Sequence, residues 1–469
     1  MDMLHGPLQG KIIRFAIPIA LSSVLTQLFN TVDVAVVGRF ASSTALAAVG
    51  ANTFIINLFI NLFFGISIGS SVVIANQIGQ NNADGIRRGI STTAALSLIS
   101  GVLLLGIGMV VARPLLEWMD TPADVLPDAE LYLRIYLWGS PFLMVYTFGA
   151  AILRSRGDSK RPLYILVVAG IINTILNLVL VIRFHMGVAG VAIGTAVSNV
   201  FSAAAIVWLL RREKGAFRLH LSDMTIHRPE LRRILAIGVP AGLQGMTFSL
   251  SNIFIQSSIN SFGSAAIAGS SVAQTLEAYS YFFMAAFTNA ATTFVGQNYG
   301  AGLIERCKRI TWICLFYGAL SCFVCNLLFT VFAPQVLGLF TPDPEVIRFG
   351  RIRIEHVLIF QCLAASYDVT SGSLRGLGHS IEPTVITIFG TCVLRLVWVF
   401  WIFPIYGGYH QLLQVYPITW VVTGLITFLF YIATIRRLEG RKVFPVRALT
   451  LRVAGHLPRP VKRLWQGKW

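Results

Sequence analysis

The chain has 469 residues, of which 55% are apolar and only 12% charged, with mean hydropathy +0.72. A soluble domain carries about 25% charged residues, so the composition excludes an ordinary soluble enzyme and places the chain in a bilayer. The formal charge of +17 sits on residues that flank apolar runs; without a basic stripe interleaved with aromatics, nucleic acid is excluded as a partner.

A membrane span takes about 20 apolar residues. Hydropathy predicts twelve, at 13–36, 48–75, 92–113, 130–153, 162–182, 188–210, 234–258, 266–293, 309–332, 351–374, 382–404 and 412–435. The first run is too long for a cleavable signal peptide and contains Pro18 and Asp33. Basic residues gather in alternate loops: Lys11 and Arg14; Arg87 and Arg88; Arg154, Arg156, Lys160 and Arg161; the 211–233 connection; Arg306, Lys308 and Arg309; Arg375; and the tail. The 3–4 loop is acidic (Glu117, Asp120, Asp124, Asp128, Glu130). Lys and Arg near span ends are retained in the cytoplasm, so both termini are expected there, in agreement with an even number of spans.

The chain repeats itself. Leu153 to Pro162 reads LRSRGDSKRP and Leu374 to Pro383 reads LRGLGHSIEP, 221 residues later. Ile17-Pro18-Ile19-Ala20 matches Val239-Pro240-Ala241-Gly242, and Ala75-Asn76-Gln77 matches Val295-Gly296-Gln297, at nearly the same offset. Parallel repeats of six spans are related by an axis along the membrane normal, and the cleft between them suits a substrate that must alternate between faces. The expected organisation is an N-terminal six-helix lobe (1–215), a cytoplasmic loop (216–233), a C-terminal six-helix lobe (234–438) and a basic tail (439–469). The tail holds Trp465 and Trp469 and reads either as a segment lying on anionic membrane lipid or as a solvated stretch that obeys the positive-inside rule.

The six cysteines lie in the second half, mostly within apolar runs, and Cys322–Cys325 reads as small packing residues rather than redox or metal chemistry. His5, His185, His356 and His410 lack ligand spacing and are not expected to bind metal. No Walker motif and no nucleophile–base constellation is present, so neither an ATP-driven pump nor an enzyme is expected.

The two ten-residue turns, the stretch GVAGVAIGTAVSN at 187–199, and the first-span pattern Pro18, Gln27, Asn30, Asp33, Gly38 resemble the multidrug and toxic compound extrusion (MATE) transporters over about residues 8–438. The resemblance implies an all-α polytopic membrane protein of twelve transmembrane helices in two pseudo-symmetric six-helix lobes around a central cavity. It also implies antiport of Na⁺ or H⁺ against small organic cations, with no other cofactor. A bacterial plasma membrane and a functional monomer are expected. The superfamily also holds flippases of lipid-linked sugars, which are the alternative reading.

A charge inside a span is costly and asks for a role. Asp33, with Asn173 and Asn177 one turn apart and Thr195, resembles the family's first-lobe cation site; Asn177 stands where many members carry a second aspartate. One carboxylate with amide and hydroxyl oxygens still suits Na⁺, with one proton site fewer. In the second half, Glu277, Asp368 and Arg395 read as an ion network in which one acid pairs with Arg395 and the other is free to titrate or bind a cation; a purely structural network is the alternative. Gln27, Asn30, Asn57, Gln256 and Tyr281 are candidates for the cavity wall; the alternative is that most of them make interhelical hydrogen bonds. With Arg395 as the one clear intramembrane base, the cavity is expected to be neutral to acidic and to favour cationic cargo.

Overall fold

A computed structural model describes residues 1–119 and 121–440, and among these the chain is helical with no strand. The long apolar runs become α1 Gln9–Phe40, α2 Ser43–Gly79, α3 Ala83–Trp118, α4 Leu126–Ser155, α5 Lys160–Leu178, α6 Gly187–Arg212, α7 Arg228–Asn260, α8 Ser264–Gly300 and α9 Ile304–Val331. In lipid every backbone polar group must be satisfied within the segment, which leaves helix as the available form. The starts are set locally: Ser42 accepts from Ala45 N at 3.0 Å and Asn82 from Gly85 N at 3.0 Å, each satisfying an orphan first-turn donor.

The remainder is broken into shorter pieces. They are α10 Ala333–Gly338, α11 Pro344–Arg353, α12 Ala365–Gly376, α13 Ile381–Thr387, α14 Leu394–Val397, α15 Phe403–Tyr406, α16 Tyr409–Leu413 and α17 Val415–Gly440. π-Helical turns at Ile354–Leu358, Ile388–Val393 and Trp398–Ile402 interrupt this region, as Val179–Arg183 ends α5. Such turns insert an extra residue and re-aim the side chains beside them.

Among the described residues ten helices are long and apolar enough to cross a membrane. The expected spans 266–293 and 351–374 are helical but lie outside those ten. The first is rich in Ser, Thr, Asn and Gln; the second is broken and carries Arg353, Glu355 and Asp368. The expected loop at 216–233 is shorter than anticipated, because α7 already begins at Arg228. Pro229 is pre-organised for a first helical turn, and Glu230 is drawn in by Arg88, 2.8 Å away. Most of the basic tail expected at 439–469 lies outside the described residues.

Helix packing is governed by small residues, because lipid gives little hydrophobic drive between helices and close backbone contact must supply it. Gly65 and Gly69 on α2 face Gly238 and Gly242 on α7. A Cβ added to Gly65 would lie 2.2 Å from Gly242 N, and one on Gly242 would lie 2.5 Å from Leu62 O. Gly79 and Gly300 do the same where α2 meets α8, with added Cβ atoms 1.9 Å from Gln297 O and 2.2 Å from Asn76 O.

The end of the molecule that carries the two ten-residue turns is therefore closed. Gln297 Nε2 donates to Ser155 O (2.6 Å), and Asn298 Nδ2 donates to Met3 O (3.1 Å). The start of α1 joins the core of the second half there, Phe15 meeting Phe294 edge-on at 5.6 Å.

Candidate cation site and buried charge clusters

Asp33 sits near the far end of α1, only 7% exposed. Asn173 and Asn177, one turn apart, share a face of α5 and are buried, and Thr195 comes from α6. The four expected residues converge. Asn177 Nδ2 donates to Asp33 Oδ1 at 2.5 Å, and Thr195 Oγ1 lies 3.5 Å from Asp33 Oδ2. The Asn173 amide is satisfied when its nitrogen faces Asp33 Oδ1 at 2.9 Å and its oxygen accepts from Thr195 N and Oγ1, both at 3.2 Å.

Two details bear on whether a cation fits. Asn177 Oδ1 is buried without a hydrogen-bond partner, while the amide turns its nitrogen, not this oxygen, to the Asp33 carboxylate. Gly194 makes room for it, since a Cβ there would stand 2.1 Å from Asn177 Oδ1. A hard cation takes oxygen ligands; the Asp33 carboxylate, the two amides and the Thr195 hydroxyl supply them by type, once the Asn177 amide turns its oxygen in place of its nitrogen. Among the described residues no group of three or more His, Cys, Asp or Glu could hold a metal ion, so any ion here relies on amide and hydroxyl oxygens.

Sequence reading missed Tyr132 and Tyr136. They stack on α4 with centroids 6.3 Å apart and stand within reach of the Asp33 charge. Their i, i+4 spacing on one helix face was the available signal.

The second-half network differs from the expected one. Glu277 pairs with Arg353, not Arg395: Arg353 Nε donates to Glu277 Oε1 at 2.6 Å and Nη2 to Oε2 at 3.1 Å. Asp368 accepts from Thr288 Oγ1 at 2.8 Å, and its charged neighbour is Arg375. Arg395 is fully buried; Nη1 donates to Asn252 Oδ1 at 3.0 Å, while Nε and Nη2 have no partner. Its guanidinium lies over Tyr416 (4.5 Å) and Phe248 (5.1 Å).

The expectation of a single intramembrane base is therefore corrected: among the described residues three arginines are buried, Arg353, Arg375 and Arg395. Arg375, expected as a turn residue, is buried with Nη2 donating to Gln244 Oε1 at 2.6 Å. The turn is drawn inward because Gly376 lets α12 press on α8, an added Cβ lying 2.8 Å from Thr292 O.

The weaker cavity candidates are scattered. Gln27 is half-buried, and Asn30, Asn57 and Tyr281 are exposed, on α1, α2 and α8. Gln256 is tied across helices, accepting from Gln274 Nε2 at 3.0 Å and donating to Asn260 Oδ1 at 3.1 Å. Asp158 caps α5, its Oδ1 accepting from Lys160 N and Arg161 N, each at 3.2 Å.

The MatE family model matches the chain twice, over residues 18–179 and again over 240–401. The chain belongs to the MatE family. MatE proteins are membrane transporters rather than enzymes, and this one is a multi-pass membrane transporter. The two matched segments reproduce the offset of the internal repeat. Among relatives, the chain is 29% identical over 385 residues to "Probable multidrug resistance protein YoeA" of Bacillus subtilis (strain 168), covering 80% of this chain and 82% of that protein. It is 23% identical over 435 residues to a protein named "FAD transporter" from Shewanella oneidensis, covering 91% and 95%. Its fold is similar to a solved structure described as the outward-facing conformation of a multidrug resistance MATE family transporter, with TM-score 0.87 at 24% identity, covering 93% of this chain and 98% of that one.

Proposed function

We propose that this MatE protein is a secondary antiporter that exports small organic cations from a bacterial cell in exchange for inward Na⁺ or H⁺. The observation that carries the reading is the buried Asp33 carboxylate, whose hydrogen-bond partners are the neutral Asn177 and Thr195. A carboxylate in a span is stable only when paired, protonated or bound to a cation, and its neighbours here are neutral amides and a hydroxyl. Cation binding to α1, α5 and α6 favours one arrangement of these helices and lowers substrate affinity in it; substrate loading from the other side reverses the exchange. Such coupling needs about 1–3 kcal/mol of differential binding. In this reading the closed turn end faces the cytoplasm with both termini, the two six-helix halves alternate about the α2–α7 contact, and the chain works as a monomer among lipids.

The test is export of a fluorescent organic cation from energised vesicles under a sodium or a proton gradient imposed separately, with and without Asp33→Asn. Export that requires either gradient and is lost in the variant supports the reading. Export that survives the substitution moves coupling to Asp368.

A second reading rests on Arg395. A buried guanidinium with two idle donors suits an anionic group on the cargo, and one relative is named for FAD. Saturable export of an anionic dye, lost in Arg395→Gln, would favour it. The flippase alternative is not favoured, since the relatives above are named for other cargo.

A further inference from the structure

His356 and His410 are 54 residues apart and share no ligand spacing, yet the fold brings their rings together. His410 Nδ1 lies 3.2 Å from His356 Nε2, with ring centroids 4.7 Å apart. His356 belongs to the π-helical turn Ile354–Leu358, and His410 to α16. Both lie at the end of the molecule opposite the ten-residue turns, because a full helix length separates each from the Leu374–Pro383 turn.

The tautomer follows from the hydrogen bonds. His356 Nδ1 is 2.9 Å from Ile352 O. A carbonyl only accepts, so Nδ1 carries the proton and Nε2 turns its lone pair toward His410. A metal-ligating imidazole is held in this way, by a backbone carbonyl on its far nitrogen. His410 Nδ1 donates the proton that lies between the facing nitrogens; a metal ion bound at Nδ1 takes its place, and His410 carries its one proton on Nε2 instead, remaining a neutral imidazole.

The spacing also fits. Two imidazole nitrogens at about 2.0–2.1 Å from one ion are about 3.3 Å apart at a tetrahedral angle, close to the 3.2 Å observed. The pair is pre-set by its supports. Tyr409, next to His410, is buried with its ring edge-on to Phe349 (5.1 Å) and Phe262 (5.4 Å). Leu412 and Leu413 are fully buried, and Trp398 Nε1 donates to Gln411 O at 3.1 Å. His410 itself is exposed and His356 half-buried, so water reaches the site and can complete the coordination. The carboxylates nearest in sequence are engaged elsewhere, Glu355 with Arg351 at 2.7 Å.

We propose that His356 and His410 form a two-imidazole binding site for a divalent transition-metal ion, zinc being the probe of choice. Bound metal staples the π-helical turn before α12 to the α16 connection. The inference is independent of the cargo and of the coupling ion.

The experiment is calorimetric titration of zinc into the purified full chain after chelator treatment, with thermal unfolding in parallel. The expected result is saturable zinc binding that raises the melting temperature, with no response to magnesium. Outer-shell changes at such sites cost about 10–100-fold in affinity, so losing a ligand through His356→Ala or His410→Ala weakens binding by at least about 10-fold, and the double variant loses the site. The single variants must elute as monodisperse protein with unaltered far-ultraviolet spectra. No binding by the wild type at millimolar zinc, or binding that persists unchanged in the double variant through the cysteine thiols, overturns the proposal.

Discussion

Gly194→Ala tests the cation site without changing any charge. The added methyl would stand 2.1 Å from Asn177 Oδ1 and 3.2 Å from Asn177 Cγ, so the Asn177 amide must swing away and release the 2.5 Å hydrogen bond to Asp33. Outer-shell changes at metal sites already cost about 10–100-fold in affinity, so moving an oxygen that ligates the ion raises the half-saturating cation concentration by at least about 10-fold. Helix propensity pulls the other way, Ala being better than Gly by about 1 kcal/mol, so α6 itself is not weakened. The assay is cation-dependent quenching or counterflow in proteoliposomes across a range of sodium and proton concentrations. A well-folded variant whose half-saturating concentration stays within about two-fold of wild type would refute the assignment of Asn177 to the site.

Asn177→Asp restores the second carboxylate that many relatives of this type are expected to carry; it should shift the ion dependence of export, and unchanged dependence would show that the first-half site is not the coupling site. Glu277→Gln leaves Arg353 buried and unpaired, which costs about 3–5 kcal/mol; the thermal midpoint should fall sharply, and Glu277→Leu with Arg353→Met should recover most of it. Gly65→Ala forces a methyl into the α7 backbone, where overpacking costs about 1–3 kcal/mol; the expected readout is a lower thermal midpoint and looser cross-linking between α2 and α7. Asp158→Ala removes the acceptor for two first-turn donors of α5, worth about 1 kcal/mol as a cap, and thermal unfolding in detergent measures it.

Much of the architecture was legible in the chain itself. Long apolar runs can satisfy their backbone only as helices, so Gln9–Phe40 through Ile304–Val331 followed from hydropathy. The repeated turn, the matched Pro18 and Pro240, and the matched Gln77 and Gln297 located the internal symmetry that the twofold family match reproduces. The first-half site was legible through the resemblance to the family's cation site. Spacing alone placed Asn173 and Asn177 on one helix face; the contact of Asp33 with Asn177 and Thr195 comes from the packing of α1, α5 and α6.

Only the tertiary structure decided the partners of the other charges. Pairing across helices depends on helix rotation, and three π-helical turns in the second half shift that rotation by a residue each, beyond what a 3.6-residue period foretells. Glu277 turns to Arg353, which closes α11 just before the first of these turns, instead of Arg395, and Arg375 leaves the turn for Gln244. The same turns leave Arg395 without a carboxylate and set His356 against His410. Composition and periodicity determine which segments enter the membrane, because that depends on each segment alone; contacts between segments depend on register and rotation, which only the packed structure sets.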